Sequence, residues 1–110
     1  MKNLVGYLLW PIMLTGCHNQ ELTLVNRGSE KWENVTVRVG EFQWSTPILD
    51  NGRNNVKVRF QIQNETGGTV SGKLNGIVYQ EDFGYFTPNM PTNYHITFED
   101  NGIITVKDAL

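Results

Sequence analysis

Val56, Val58, Phe60 and Ile62 alternate with Lys57, Arg59, Gln61 and Gln63. An apolar residue at every second position gives an extended strand one apolar face and one wet face, a pattern no helix can bury on a single side. The same period recurs along the chain. Val35, Val37 and Val39 alternate with Thr36 and Arg38; Val70, Gly72 and Leu74 with Ser71, Lys73 and Asn75; Tyr94, Ile96 and Phe98 with His95, Thr97 and Glu99. Residues 22–25, 77–80, 84–86 and 103–106 add shorter strand-like runs. No clear helical period is found. Between the runs lie Asn26-Arg27-Gly28-Ser29, Asp50-Asn51-Gly52, Thr66-Gly67-Gly68, Asn75-Gly76 and Asn101-Gly102. Asn-Gly is favoured where two turn residues need positive φ. Seven or eight short strands spaced by about ten residues predict an all-β chain, an antiparallel β-sandwich, with a small barrel as the alternative.

The chain has 110 residues, the size of one domain, and a formal net charge of −2, which lacks the basic excess of a nucleic-acid binder. The general look resembles an immunoglobulin-like sandwich. The Cys–Trp–Cys hallmark of true immunoglobulin domains is absent, because Cys17 is the sole cysteine. The resemblance is therefore one of architecture and implies no function. With one cysteine there is no intrachain disulfide, and the core alone must hold the domain.

The N-terminus has a signal-peptide layout: Lys2, then an apolar run from Leu4 to Leu14, then small residues. The uncharged stretch from Asn3 to Gly16 is 14 residues, short of the roughly 20 needed to span a bilayer as a helix. Pro11 weakens a long helix further. Leu14-Thr15-Gly16-Cys17 resembles the lipobox of bacterial lipoprotein signal peptides. The resemblance implies that residues 1–16 are removed. It also implies that Cys17 becomes the mature N-terminus, with a diacylglyceryl group on its sulfur and usually an acyl chain on its amine. Two or more chains anchor a protein stably where one does not. Asp after the cysteine would favour inner-membrane retention in diderm lipoproteins. His18 and Asn19 stand there instead, so the expected location is the outer membrane of a bacterial envelope, facing the periplasm. Residues 17–20 form a lipidated cysteine with a very short tether, and 21–110 form the sandwich. His18-Asn19-Gln20 spans roughly 10 Å when extended, which predicts a domain held close to the bilayer.

Catalytic and metal chemistry finds little support. His18, His95 and Cys17 do not form a ligand cluster, so no metal site is expected. Asp50-Asn51-Gly52 and Asp100-Asn101-Gly102 read as turns rather than calcium loops. His95 is the sole sensible general base, and no G-x-S-x-G or Gly-rich phosphate loop is present. Glu81-Asp82 and Glu99-Asp100 are adjacent pairs, and neighbours on a strand face opposite ways. The reading is a protein with no enzymatic activity and no cofactor. Asn34-Val35-Thr36 and Asn64-Glu65-Thr66 match glycosylation sequons, which a bacterial leader makes incidental. Lys57, Arg59 and Arg38 would form a basic stripe if their strands shared a sheet.

Aromatic residues supply the candidate interaction surface. Phe60, Tyr94 and Phe98 occupy core slots of the period-two pattern. The segment from Glu81 to Pro91 combines Phe83, Tyr85, Phe86 and Met90 with Pro88 and Pro91. Aromatics and Met are enriched in binding patches, and proline lowers the cost of ordering a loop. Phe83, Tyr85, Phe86 and Met90 are thus candidate protein-binding residues, with Trp32 and Trp44 as second candidates. Structural packing is the competing reading for all six. The expected function is non-enzymatic binding of an envelope protein by a lipid-anchored domain close to the membrane. The alternative is an inhibitor or immunity lipoprotein that blocks a toxin, a lytic enzyme or a phage receptor.

Overall fold

The computed structural model describes residues 20–52 and 55–110. The leader, Cys17 and most of the tether lie outside the described residues. Among the described residues eight strands follow one another: β1 (Gln20–Asn26), β2 (Trp32–Val39), β3 (Phe42–Leu49), β4 (Val56–Phe60), β5 (Thr66–Leu74), β6 (Ile77–Phe86), β7 (Thr92–Phe98) and β8 (Ile104–Asp108). They form two four-stranded sheets, ordered β4-β1-β7-β8 and β3-β2-β5-β6. The fold is all-β and sandwich-like.

Among the described residues five of the six strand pairings are antiparallel. The sixth, β1 beside β7, is parallel, from Gln20 opposite Thr92 to Asn26 opposite Phe98. A parallel pair needs a long crossover connection, and here the whole intervening chain serves as one. A hairpin pattern read from neighbouring segments does not reveal such a pair.

Alternation places the core. In β2, Val35, Val37 and Val39 are buried, and in β5 Val70 and Leu74 are buried. They meet Leu22 and Leu24 of β1, Val58 and Phe60 of β4, and Ile96 and Phe98 of β7. Trp32 packs its ring edge-on to Phe98 at 5.1 Å. Two of the three Asn-Gly pairs have positive φ at both residues, +54° and +82° at Asn75-Gly76 and +69° and +78° at Asn101-Gly102, while at Asn51-Gly52 only the glycine does, at +138°. Asn75-Gly76 joins Leu74 to its partner Ile77 as a two-residue hairpin, the geometry Asn-Gly favours.

Three readings differ from the structure. The segment Phe42–Leu49 is a strand that the period-two reading does not assign. It is an edge strand, where Pro47 is tolerated because one side of the ladder is unpaired. Thr66-Gly67-Gly68 is not a turn but the start of β5. Residues 77–80 and 84–86 belong to one continuous strand, β6. Its register with β5 shifts, since Gly68 faces Phe83 and Thr66 faces Phe86. One extra residue in β6 makes this a bulge. Gly84 sits in it with φ +69°, a conformation that costs glycine little.

Candidate functional site

All strand connections fall at one end of the sandwich or the other. At the end where β1 begins lie the β2–β3 turn, the β4–β5 loop, the β6–β7 loop and the last residues of the chain. This end brings together the exposed part of the segment from residue 81 to 91.

Gln20 organises it. The side chain is 1% exposed. Its Nε2 donates to the carbonyls of Thr87 at 3.2 Å and Met90 at 3.0 Å, and its Oε1 accepts from the Thr92 hydroxyl. A buried amide without partners would be costly, and here both ends are used. The loop between β6 and β7 is thereby fastened to the first residue of β1. Within the loop, Met90 N–H closes a turn on the Thr87 carbonyl at 3.2 Å. The Met90 side chain stays 57% exposed.

Tyr85 is another exposed side chain of this end, at 59%. Its N–H donates to the Tyr94 hydroxyl at 3.3 Å, and its phenolic O–H donates to the Glu65 carboxylate in the β4–β5 loop. Accepting that proton, the Glu65 carboxylate holds the Tyr85 pKa above its ordinary value of 10.0; desolvation and the carboxylate's charge act in the same direction.

Beside Tyr85 opens a cleft of about 440 Å³ between the β2–β3 turn and the β4–β5 loop. Phe42 and Ile62 supply apolar lining, Gln61, Gln63 and Asn64 supply amides, and Glu41 and Glu65 supply carboxylates. The Phe42 ring is stacked on Phe60 of the opposite sheet, 4.2 Å between centroids. Fixed apolar surface with a few polar groups around it is the ordinary make-up of a binding cleft.

The candidate residues separate into two groups. Phe83, Phe86 and Trp32 are buried and belong to the core. Phe86 packs edge-on to Phe83 at 5.8 Å and to Tyr94 at 5.3 Å. The bulge at Gly84 is the reason. It lets Phe83 and Phe86 point inward although they are three positions apart, and leaves Tyr85 outside. Trp44 is partly buried on β3 and packs against the core. Tyr85 and Met90 remain as surface groups. The basic stripe does not assemble. Lys57 and Arg59 lie on β4 with Arg38 on the other sheet, and both pair with Glu21, at 4.0 and 3.5 Å. Among the described residues no cluster of His, Cys, Asp and Glu is arranged to hold a metal ion.

No family model and no curated protein matched the chain. Its fold is similar to that of a protein from Eubacterium rectale solved by NMR. The two share 14% identity with a TM-score of 0.55, over 84% of this chain and 89% of that one. At that identity the likeness concerns the fold alone.

Gln20, Glu65 and the cleft are the parts of this end that sequence reading missed. Gln20 reads as tether, and Glu65 sits inside a sequon-like triplet. Only the strand register brings Gln20 opposite Thr92, and no local pattern encodes that pairing.

Proposed function

We propose that this chain is a lipid-anchored lipoprotein of the bacterial cell envelope. It acts without catalysis, binding a protein partner near the membrane through the end of the sandwich where β1 begins. Cys17 carries the lipid, and the outer membrane facing the periplasm is its location. The immunoglobulin-like description is kept for architecture only: two four-stranded sheets face to face.

One observation carries the reading. Gln20, three residues from Cys17 in sequence, is hydrogen-bonded to the loop that bears exposed Met90. In this reading the short tether before Gln20 keeps the surface with exposed Met90 and Tyr85 close to the anchor. Anchoring confines the domain to two dimensions and raises its effective concentration for a membrane neighbour.

In-cell crosslinking of the anchored protein, followed by mass spectrometry, tests this. A discrete envelope protein is expected, and its recovery should fall in a Tyr85→Ser, Met90→Ser variant that still fractionates with membranes. Cys17→Ala should release the protein to the soluble fraction. Undiminished crosslinks in the double variant would reject the surface, and a membrane-bound Cys17→Ala chain would reject the anchor. Recovery of a toxin or lytic enzyme at one-to-one stoichiometry would select the inhibitor reading.

A further inference from the structure

We propose that the cleft beside Tyr85 receives a positively charged side chain, arginine or lysine, presented by the protein partner. This rests on the protein-binding reading above and gives that partner a chemistry.

The lining decides the sign of the guest. Glu41 and Glu65 line the cleft, and no lysine or arginine does among the described residues. The acidic residues Glu21 and Glu33 are matched within the chain by Lys57, Arg59 and Lys31. Among the described residues neither Glu41 nor Glu65 has such an ion pair. An anionic guest would meet two carboxylates and no compensating cation, and like charges repel. A cation meets the reverse.

The shape decides the rest. An arginine or lysine head sits on three or four methylenes that prefer apolar surface. Phe42 and Ile62 offer that surface, and about 440 Å³ is ample for one such side chain. Phe42 is held against Phe60 with planes 6° apart, so its ring is a fixed platform. A cation over an aromatic face gains about 0.5–1 kcal/mol at an exposed site. Glu65 is oriented by the Tyr85 hydroxyl, which occupies one of roughly four acceptor positions on a carboxylate. The remaining positions can accept from a guanidinium or ammonium. Gln61 and Gln63 offer amide oxygens alongside.

The test compares two probes that differ in charge and little else, N-acetylarginine amide and N-acetylcitrulline amide. Each is titrated into the mature, full-length chain in detergent micelles while backbone amide NMR shifts are followed. The arginine probe should move the amides of Gly40–Phe42 and residues 61–66, and bind about fivefold more tightly than the citrulline probe. Glu41→Gln with Glu65→Gln should bring the two probes to equal affinity, with the rest of the spectrum unchanged. Equal binding of both probes by the unmodified chain, or no shift at the cleft with either, overturns the proposal. Such a failure would leave the crosslinking result standing. A partner that crosslinks through Tyr85 and Met90 without engaging the cleft refutes this inference and not the binding function.

Discussion

Phe42 on β3 and Phe60 on β4 lie face to face, 4.2 Å between centroids and 6° from parallel, and so join the two sheets along one edge. Among the described residues neither strand has a neighbour on that side. The stack therefore replaces the lateral support that a further strand would give. Phe42→Ala should destabilise the domain by about 2–3 kcal/mol, less than the 3–5 typical of a fully buried Phe, because this ring is partly exposed. Urea unfolding measures it. Gln43→Ala, on the outward face beside it, should change stability by under about 0.5 kcal/mol. Similar losses in the two variants would mean that the stack does not hold the edge.

Gln20 makes a different kind of contribution, through hydrogen bonds rather than area. Gln20→Ala leaves the Thr87 and Met90 carbonyls and the Thr92 hydroxyl without that partner. An orphaned buried polar group costs about 1–3 kcal/mol. The loop should loosen more than the sheets do. Hydrogen exchange is expected to rise at the amide of Met90 while that of Ile96 stays protected. Gln20→Glu tests the donors specifically, since a carboxylate cannot donate to either carbonyl. It should be worse than wild type at neutral pH and partly recover when the carboxyl is protonated at acid pH. Unchanged exchange at Met90 in both variants would remove Gln20 as the loop's fastening.

The contrast between those two residues explains how much of the molecule was legible beforehand. Strand existence follows from alternation, which is local. Val35-Val37-Val39 and Val56-Val58-Phe60 announce their inward faces without help from the fold. The turns at Asn75-Gly76 and Asn101-Gly102 are equally local. What failed to show is what depends on register. The bulge at Gly84 reverses the alternation between Phe83 and Phe86, and so four residues that read as one aromatic patch split between core and surface. Trp32 is buried because its ring faces the opposite sheet and packs on Tyr79 and Phe98, partners its own neighbours do not encode. The cleft is assembled from the β2–β3 turn of one sheet and the β4–β5 loop that leaves the other, and Gln20 finds its partners near position 90 through a parallel pairing.

Gly102 lies beneath the Tyr79 ring, and a Cβ built on it would overlap that ring. Its φ of +78° also disfavours an L side chain. Gly76 provides a control, with φ +82° and nothing near its hypothetical Cβ. Gly76→Ala should cost about 1–2 kcal/mol, the backbone term alone. Gly102→Ala should cost clearly more, the excess coming from displacement of Tyr79. In a Tyr79→Ala background that excess should vanish, since a double-mutant cycle isolates the pairwise term. Equal losses at the two glycines in the wild-type background would show that Tyr79 moves aside without resistance.

The Tyr85–Glu65 pair predicts a pH dependence with a definite sign. The phenolic proton is held by the carboxylate, so the folded-state pKa of Tyr85 stands above the ordinary value of 10.0 that the unfolded chain has. Above the unfolded value the unfolded state has lost its proton while the folded state keeps it. The stabilisation is therefore complete below about pH 10 and is lost as pH rises through the folded pKa. Absorbance titration of tyrosinate should find one tyrosine ionising above the ordinary range. Tyr85→Phe should delete that step, and Glu65→Gln should bring it down, because an amide oxygen accepts the hydrogen bond without adding a negative charge. Between pH 9 and 11 wild type should lose stability more steeply than Tyr85→Phe in parallel urea titrations. If the late-ionising step persists in Tyr85→Phe, it is not that of Tyr85, and the hydrogen bond across this end does not form in solution.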